Sequence, residues 1–284
     1  MSSKGIVVFA NNNEKIDYVK QCVNLAKRAK RHLDLPVSII TDCADYVKSA
    51  YDKDIFDKVI SISPNLDVDT RRFKDGALAE HRSQFKNNNR ARVYDLTPYD
   101  ETLVLDSDII ICNDHFKYAF ESDEDFLIYD KSNDLSIFRD QNEFKYISET
   151  SVKFYWATCV FFKKTFKNEI FFRLVDHIES NFSHYCKVYQ LRTNYFRNDF
   201  GFSIAIHIMN GFQSGDFAHA MPGKLYHILD KDILQKMNED SLVFLLEKEN
   251  YLGEYTLAET KDLTVHVMNK FSLMRELDKE TALD

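Results

Sequence analysis

Two aspartates one residue apart, Asp106 and Asp108, split the apolar run Leu103-Val104-Leu105-Asp106-Ser107-Asp108-Ile109-Ile110-Ile111. Such a run predicts a buried central strand. Carboxylates inside it would be costly to bury without positive partners. The strand is therefore expected to end at Leu105 and turn, delivering both acids to the carboxyl edge of a sheet, where open α/β sheets bind ligands. Two hard oxygen donors there suit Mg²⁺ or Mn²⁺ shared with a phosphorylated substrate, because such ions keep few protein ligands and take phosphate oxygens as well. The competing use of Asp-Ser-Asp is a turn that bonds its own backbone.

One pair of acids is not a complete site. His266 lies in Thr264-Val265-His266-Val267-Met268-Asn269-Lys270, at the end of a second apolar strand with a cation four residues on. A neutral imidazole would complete an oxygen-rich Mn²⁺ site, and Lys270 would neutralise a diphosphate. The other role for such a histidine is a hydrogen-bonded core residue. Zinc is disfavoured, since it asks for more Cys or His at close spacing.

The elements that must carry these residues read as α/β. Gly5 to Ala10 is a buried-strand pattern, followed by the polar turn Asn11-Asn12-Asn13. From Glu14, apolar residues at Ile16, Val19, Val23, Ala26, Ala29 and Leu33 predict an amphipathic helix that Pro36 stops. Val37 to Thr41 is a second strand ending at Asp42, and Val59 to Ile62 a short third. This order implies a right-handed parallel unit. Residues 64 to 89 read as a polar, loop-rich connection, a length usually reserved for function. Arg90 to Leu96 predicts a short helix leading into the carboxylate strand. Later come a strand at Thr158 to Lys163, helices at Ile170 to Phe182 and Phe200 to Met209, and strands at Leu242 to Leu246 and Leu263 to Val267.

The 284 residues suffice for one large domain or two small ones. The formal charge of −8 argues against a chain-wide grip on nucleic acid, though Lys27-Arg28-Ala29-Lys30-Arg31 and Arg71-Arg72-Phe73-Lys74 could each dock a phosphate backbone. For the first, a solvated helix end is the favoured reading. Five widely spaced cysteines, none at CxxC or zinc spacing, read as buried free thiols in a reducing cytoplasm. The sequence shows neither a signal peptide's apolar stretch nor a run of about 20 apolar residues, so a soluble, cytoplasmic protein is expected.

With these residues in place, the chain resembles the metal-dependent, nucleotide-sugar-using glycosyltransferases of the GT-A fold. It is similar to their glycogenin-like branch in architecture, and more closely to glycosyltransferases encoded by tailed bacteriophages. The likeness runs through Phe9-Ala10-Asn11, Thr41-Asp42, Asn89-Arg90-Ala91-Arg92, the stretch from Tyr99 to Asp108, and His266 with Lys270. It implies a single GT-A-type (Rossmann-like) mixed sheet flanked by helices with an elaborated C-terminal half. Residues 1–113 would form a nucleotide-binding half and 114–284 an acceptor-side half with a closing metal and diphosphate element. It further implies that Asp106, Asp108 and His266 bind Mn²⁺ (or Mg²⁺), and that Phe9, Ala10, Asn11, Asp42, Ser107, Lys270 and Arg90, with Arg92 as neighbouring alternative, hold a nucleoside diphosphate sugar, a UDP-sugar first. Where the glycogenin-like branch places glycine and tryptophan beside its late His and Lys, this chain has Met268-Asn269 and Phe271. Trp156-Ala157-Thr158 stands where that branch has a small polar motif.

Asp199, in Arg197-Asn198-Asp199, is either a helix cap or a catalytic group that bonds the transferred sugar or deprotonates the acceptor. The acceptor stays open among a hydroxymethylated base in phage DNA, a carbohydrate, a lipid-linked glycan and a protein. Two other readings compete. A haloacid-dehalogenase-type phosphohydrolase would use Asp106 as nucleophile, but carries its DxD near the N-terminus and follows it with Thr or Val. A non-catalytic nucleotide-sugar-binding protein would bind donor without turnover.

Overall fold

The computed structural model describes residues 2–63, 69–85, 90–137, 139, 144–149, 151–193, 195–248 and 252–281. Pro64 and Asn89, which fall in sequence features named above, lie outside the described residues. The chain opens with β1 (Lys4–Ala10), α1 (Tyr18–Leu33), β2 (Val37–Thr41), α2 (Ala44–Ala50) and β3 (Val59–Ser61). A hairpin follows, β4 (Asp69–Lys74) and β5 (Glu80–Phe85), then a 3₁₀ turn (Arg90–Arg92), α3 (Val93–Leu96) and β6 (Glu101–Leu105). The middle holds β7 (Ile109–Ile110), α4 (Lys117–Phe120), β8 (Phe126–Tyr129), β9 (Ser132–Asp134) and β10 (Trp156–Lys163). Three helices come next, α5 (Phe166–Ser180), α6 (Phe182–Val188) and α7 (Asn198–Met209). The chain continues through β11 (His219–Ala220), β12 (Leu225–Ile228), β13 (Ile233–Met237), β14 (Ser241–Glu247), β15 (Tyr255–Lys261), β16 (Val265–Val267) and α8 (Lys270–Thr281).

This is a mixed α/β protein built on a seven-stranded sheet of order β11-β8-β10-β6-β1-β2-β3. Its first half is parallel: β1 pairs with β2 and β6, and β2 with β3. Beyond β6 the direction reverses, since β10 runs antiparallel to both β6 and β8. A second sheet of order β7-β16-β12-β9 stands beside it, and β13-β14-β15 form a third. The run around the two aspartates is thus divided: β6 belongs to the large sheet and β7 to the second. The acids occupy the turn where the chain changes sheets.

Local chemistry explains the boundaries. α1 starts at Tyr18 rather than Glu14 because the Asp17 side chain accepts from the Lys20 amide. Asn12 Oδ1 accepts from Val19 N at 3.0 Å, and Asn13 Oδ1 from Ile16 N at 2.9 Å, so the asparagine turn holds the helix entrance. The expected helix at Ile170 starts at Phe166, capped by Thr165, and the chain re-enters helix at Phe182. The phenylalanines are spent mainly between the large sheet and α5 and α7. Phe126 meets Phe171 at 4.7 Å between ring centres, Phe162 meets Phe172 at 4.7 Å, and Phe171 meets Phe202 at 5.4 Å. Each such buried ring contributes about 1.5–3 kcal/mol.

Two sequence readings are corrected, that of residues 69–85 and that of the cysteines. Residues 69–85 form a hairpin, not a loop: its strands are polar because one face meets solvent, while Phe73 points inward at 3% exposure. The cluster at residues 27–31 is mainly the solvated helix end that the sequence favoured, with Lys27, Lys30 and Arg31 exposed. Arg28 is buried and donates to the carbonyls of Ile111, Asn238 and Glu239, and Arg31 pairs with Glu239. All five cysteines are free, but Cys43 and Cys186 are only half-buried. No described helix is long and apolar enough to cross a membrane.

Beneath the second sheet, Arg139 grips Asp232 with both Nη atoms (2.9 and 2.8 Å) and reaches Asp134 at 2.6 Å. Asp232 is fully buried and also accepts from the Leu229 and Glu247 amides. Arg139→Ala strands a buried carboxylate, and chemical denaturation should show a loss of about 3–5 kcal/mol.

Two histidines are kept neutral in the fold. Burial pushes His115 down to about 4, against the opposing pull of Asp114. Burial, then the charges of His266 and Arg139, pushes His227 down to about 3. The unfolded chain takes up these protons near pH 6.5 and the folded chain does not, so stability is complete above that pH and falls as pH drops towards 4. Replacing His115 by Gln should lessen that slope by up to about 1.4 kcal/mol per pH unit, read from denaturant melts across pH 4–7.

Candidate functional site

The Asp-Ser-Asp corner is fixed on both sides by backbone. The Asp106 amide donates to Thr158 O on β10 at 3.0 Å, and Ile109 N donates back to Asp106 O at 3.3 Å. The Val267 amide donates to Asp108 O at 2.9 Å. That bond, with His266 opposite Ile109 in the β7–β16 register, carries the imidazole to the corner.

Ligand atoms of Asp106, Asp108 and His266 all lie within 4.8 Å of one another. His266 Nε2 is 3.2 Å from Asp108 Oδ1 and 3.9 Å from Asp106 Oδ2. Lys270, opening α8, places Nζ 2.5 Å from Asp108 Oδ2. Arg90 donates to Asp106 Oδ1 and to Ala157 O. Ser107 donates to Gln21 Oε1 at 3.0 Å, tying the corner to α1. Burial alone would raise the Asp108 carboxyl. The charges and hydrogen bonds of Lys270 and His266 outweigh it and hold that carboxyl well below the usual carboxylate range.

Two carboxylates and one imidazole nitrogen form a donor set that Mn²⁺ or Mg²⁺ accepts, and that is too small for a closed zinc site. The nitrogen facing the acids is Nε2. Nδ1 is buried and makes no hydrogen bond among the described residues. The residues therefore fit a hard divalent cation.

The corner opens into a cavity of about 290 Å³. Arg71, Arg90, Arg197 and Lys270 line it, facing Asp106, Asp108, Asp199 and Asp230. Phe9 and Asn11 close one side, with the Arg90 guanidinium 5.9 Å from the Phe9 ring centre. Asn11 Oδ1 is buried and makes no hydrogen bond among the described residues. Asp199 Oδ1 accepts from the Ala157 amide at 3.0 Å and Oδ2 from Arg197 at 2.8 Å.

Three residues assigned to donor binding from the sequence are not on this wall. Ala10 is enclosed in the sheet core, Arg92 faces solvent on the 3₁₀ turn, and Asp42 lies past β2 beside the Cys43 thiol at 3.1 Å. Alternation along the turn explains the arginines: Arg90 is 6% exposed and directed inward, and Arg92 points away. Sequence reasoning did not place Tyr18, Phe73, Phe144 and Asp230 at the site. The Arg71 cluster was the one signal for the hairpin's part in it.

No family model matches the chain, and no curated protein matches it. Solved structures with a similar backbone path do exist. Three of them are glycosyltransferase structures. GlyE of Streptococcus pneumoniae TIGR4 shows 15% identity and a TM-score of 0.45 over 77% of this chain and 45% of its own. Its apo form shows 16% and 0.40 over 73% and 43%. The galactosyltransferase LgtC, solved with donor and acceptor sugar analogs, shows 15% and 0.42 over 70% of each chain. The chain thus spans less than half the length of GlyE.

A Mn²⁺ titration followed by thermal melting should stabilise the chain by about 2.7 kcal/mol at a hundredfold excess over Kd, reversed by EDTA. In Asp106→Asn, at a partly exposed position, that stabilisation should disappear while the metal-free melt stays close to wild type.

Proposed function

We propose that this protein is a metal-dependent glycosyltransferase that moves a sugar from a nucleoside diphosphate, a UDP-sugar first, to a hydroxyl acceptor. The convergence of Asp106, Asp108 and His266 with Arg90 and Lys270 in one cavity carries the reading. The cavity wall sets four cations against four carboxylates. A diphosphate alone would upset that balance, and so would a divalent cation alone. Together they add almost no net charge, so burying both costs least.

On this reading Asp106, Asp108 and His266 hold the metal, which when bound supplies Lewis acidity towards the departing diphosphate. Arg90 and Lys270 are charge-paired and pre-positioned to share the negative charge that builds on the leaving group. Phe9 and Asn11 offer a ring face and an unused amide oxygen to the base and ribose. Ser107 supports the corner through Gln21. Asp199, fixed by Arg197 and the Ala157 amide, is assigned to a hydroxyl of the transferred sugar or the acceptor. Residues 1–113 are proposed as the nucleotide-binding half of a single GT-A-type domain and 114–284 as the acceptor half.

Donor hydrolysis over a panel of nucleotide sugars tests this. Wild-type turnover should require Mn²⁺ or Mg²⁺ and vanish with EDTA. Asp108→Asn should abolish it, and Lys270→Met should lower kcat/KM by about 10²–10³. Metal-independent turnover, or phosphate release from simple esters in its place, would overturn the proposal.

A further inference from the structure

A second cavity of about 830 Å³ adjoins the first, and Phe144 and Trp156 line both. Their ring centres are 4.8 Å apart, forming the shared wall. Two elements pass from one cavity into the other. Along β10, Thr158 and Ala157 face the carboxylate cavity, and Tyr155 and Lys153, just before the strand, face the second. Along α7, Asp199 faces the first, while Ser203, Ile206, His207 and Asn210 line the second at successive turns of one helix face. Ser203 ties the two elements together, donating to Asp199 O at 2.6 Å and accepting from the Tyr155 amide at 2.9 Å. From Asp199 to Asn210 the helix rises roughly 16 Å at about 1.5 Å per residue.

We propose that this second cavity is the acceptor subsite and that its occupant is an oligosaccharide. The proposal rests on the glycosyltransferase reading and names the acceptor class within it. Sugar rings present an apolar C–H face and a rim of hydroxyls. The cavity offers matching chemistry: tyrosine rings at 146 and 155 beside the side chains of Asn133, Gln213, Ser132 and Ser214. Nucleic acid would need cations in a row along a groove. Here three lysines line the cavity without forming a row of free cations: Lys131 follows the acidic Asp130, Lys153 is committed to Asp130 at 2.5 Å, and Lys145 and Lys153 lie over the Tyr146 and Tyr155 rings at 5.7 and 5.2 Å. The length of the cavity beyond Asp199 suits a chain of sugars whose terminal hydroxyl enters the carboxylate cavity.

The test is binding of the full chain to a defined array of neutral and phosphorylated oligosaccharides. Each hit is confirmed by saturation-transfer NMR, with single-stranded and duplex DNA oligonucleotides alongside. A glycan should bind, and Tyr146→Ala and the space-filling Ser214→Trp should each weaken it about tenfold or more with an unchanged melting temperature. Tyr146 and Ser214 are both exposed, and Gln213→Ala, exposed as well, serves if either variant misfolds. DNA bound with no glycan, no glycan bound at all, or a glycan indifferent to these substitutions would overturn the proposal. Donor hydrolysis by the wild-type chain without acceptor reports on the proposed reaction separately, so the two readings fail by different measurements.

Discussion

The carboxylate of Asp108 is 2% exposed, and the design of the C-terminal third answers to it. A buried carboxylate whose partners are removed costs several kcal/mol, and its two partners, an ammonium and an imidazole, come from far along the chain. Lys270 stands 162 residues later, with His266 four before it. To bring them, β16 must pair with β7, and so β7 must leave the large sheet immediately after the corner. The change of sheet at Asp106–Asp108 is thus both the origin of the site and the condition for neutralising it.

The same economy runs through the rest of the cavity. Arg90 reaches Asp106, and Arg197 reaches Asp199. Every acid lining the first cavity is held by a cation or an amide before any ligand arrives. That arrangement stabilises the empty chain and fixes the side chains in place. It also means that a ligand must replace those contacts rather than simply add to them. A site poised in this way favours ligands that carry both signs of charge, and a cation bound together with a diphosphate is such a pair.

How much of this was legible in the sequence depends on whether burial left a period to read. β1, β2 and β6 are buried on both faces, and their continuous apolar runs showed it. His266 and Lys270 were legible because an apolar strand led directly to them. The β4–β5 hairpin was not, since among its described side chains this two-stranded element with one wet face puts one large apolar residue inside, Phe73, beside the buried Ser83. Within the solvated Lys27–Arg31 helix end, Arg28 alone turns inward to satisfy buried carbonyls, a role that charge does not reveal. The lining face of α7 was hidden for the opposite reason. The helix is apolar nearly all round, with Phe202, Ile204 and Ala205 buried, so Ser203 and Asn210 did not stand out as a polar stripe. Trp156, standing where the glycogenin-like branch has a small polar motif, lies on the wall between two cavities, a position that only the three-dimensional path of β10 reveals.

The precision of the Asp106–Asp108 corner depends on a helix that reaches the cavity wall only at its first residue, Tyr18. α1 packs against β1 and β2 along one face, yet its buried polar residues reach past the large sheet. Gln21 holds Ser107 at the corner, and Arg28, 7% exposed, bonds carbonyls just beyond β7 and between β13 and β14. Near its start, Lys20 pairs with Asp278 on α8 at 2.6 Å. One rigid rod therefore fixes the corner, the strand pair that carries His266 and the helix that carries Lys270. Ligands positioned to within a few tenths of an ångström need supporting contacts of this kind. The ligand geometry is therefore set as much by α1 as by the corner's own residues.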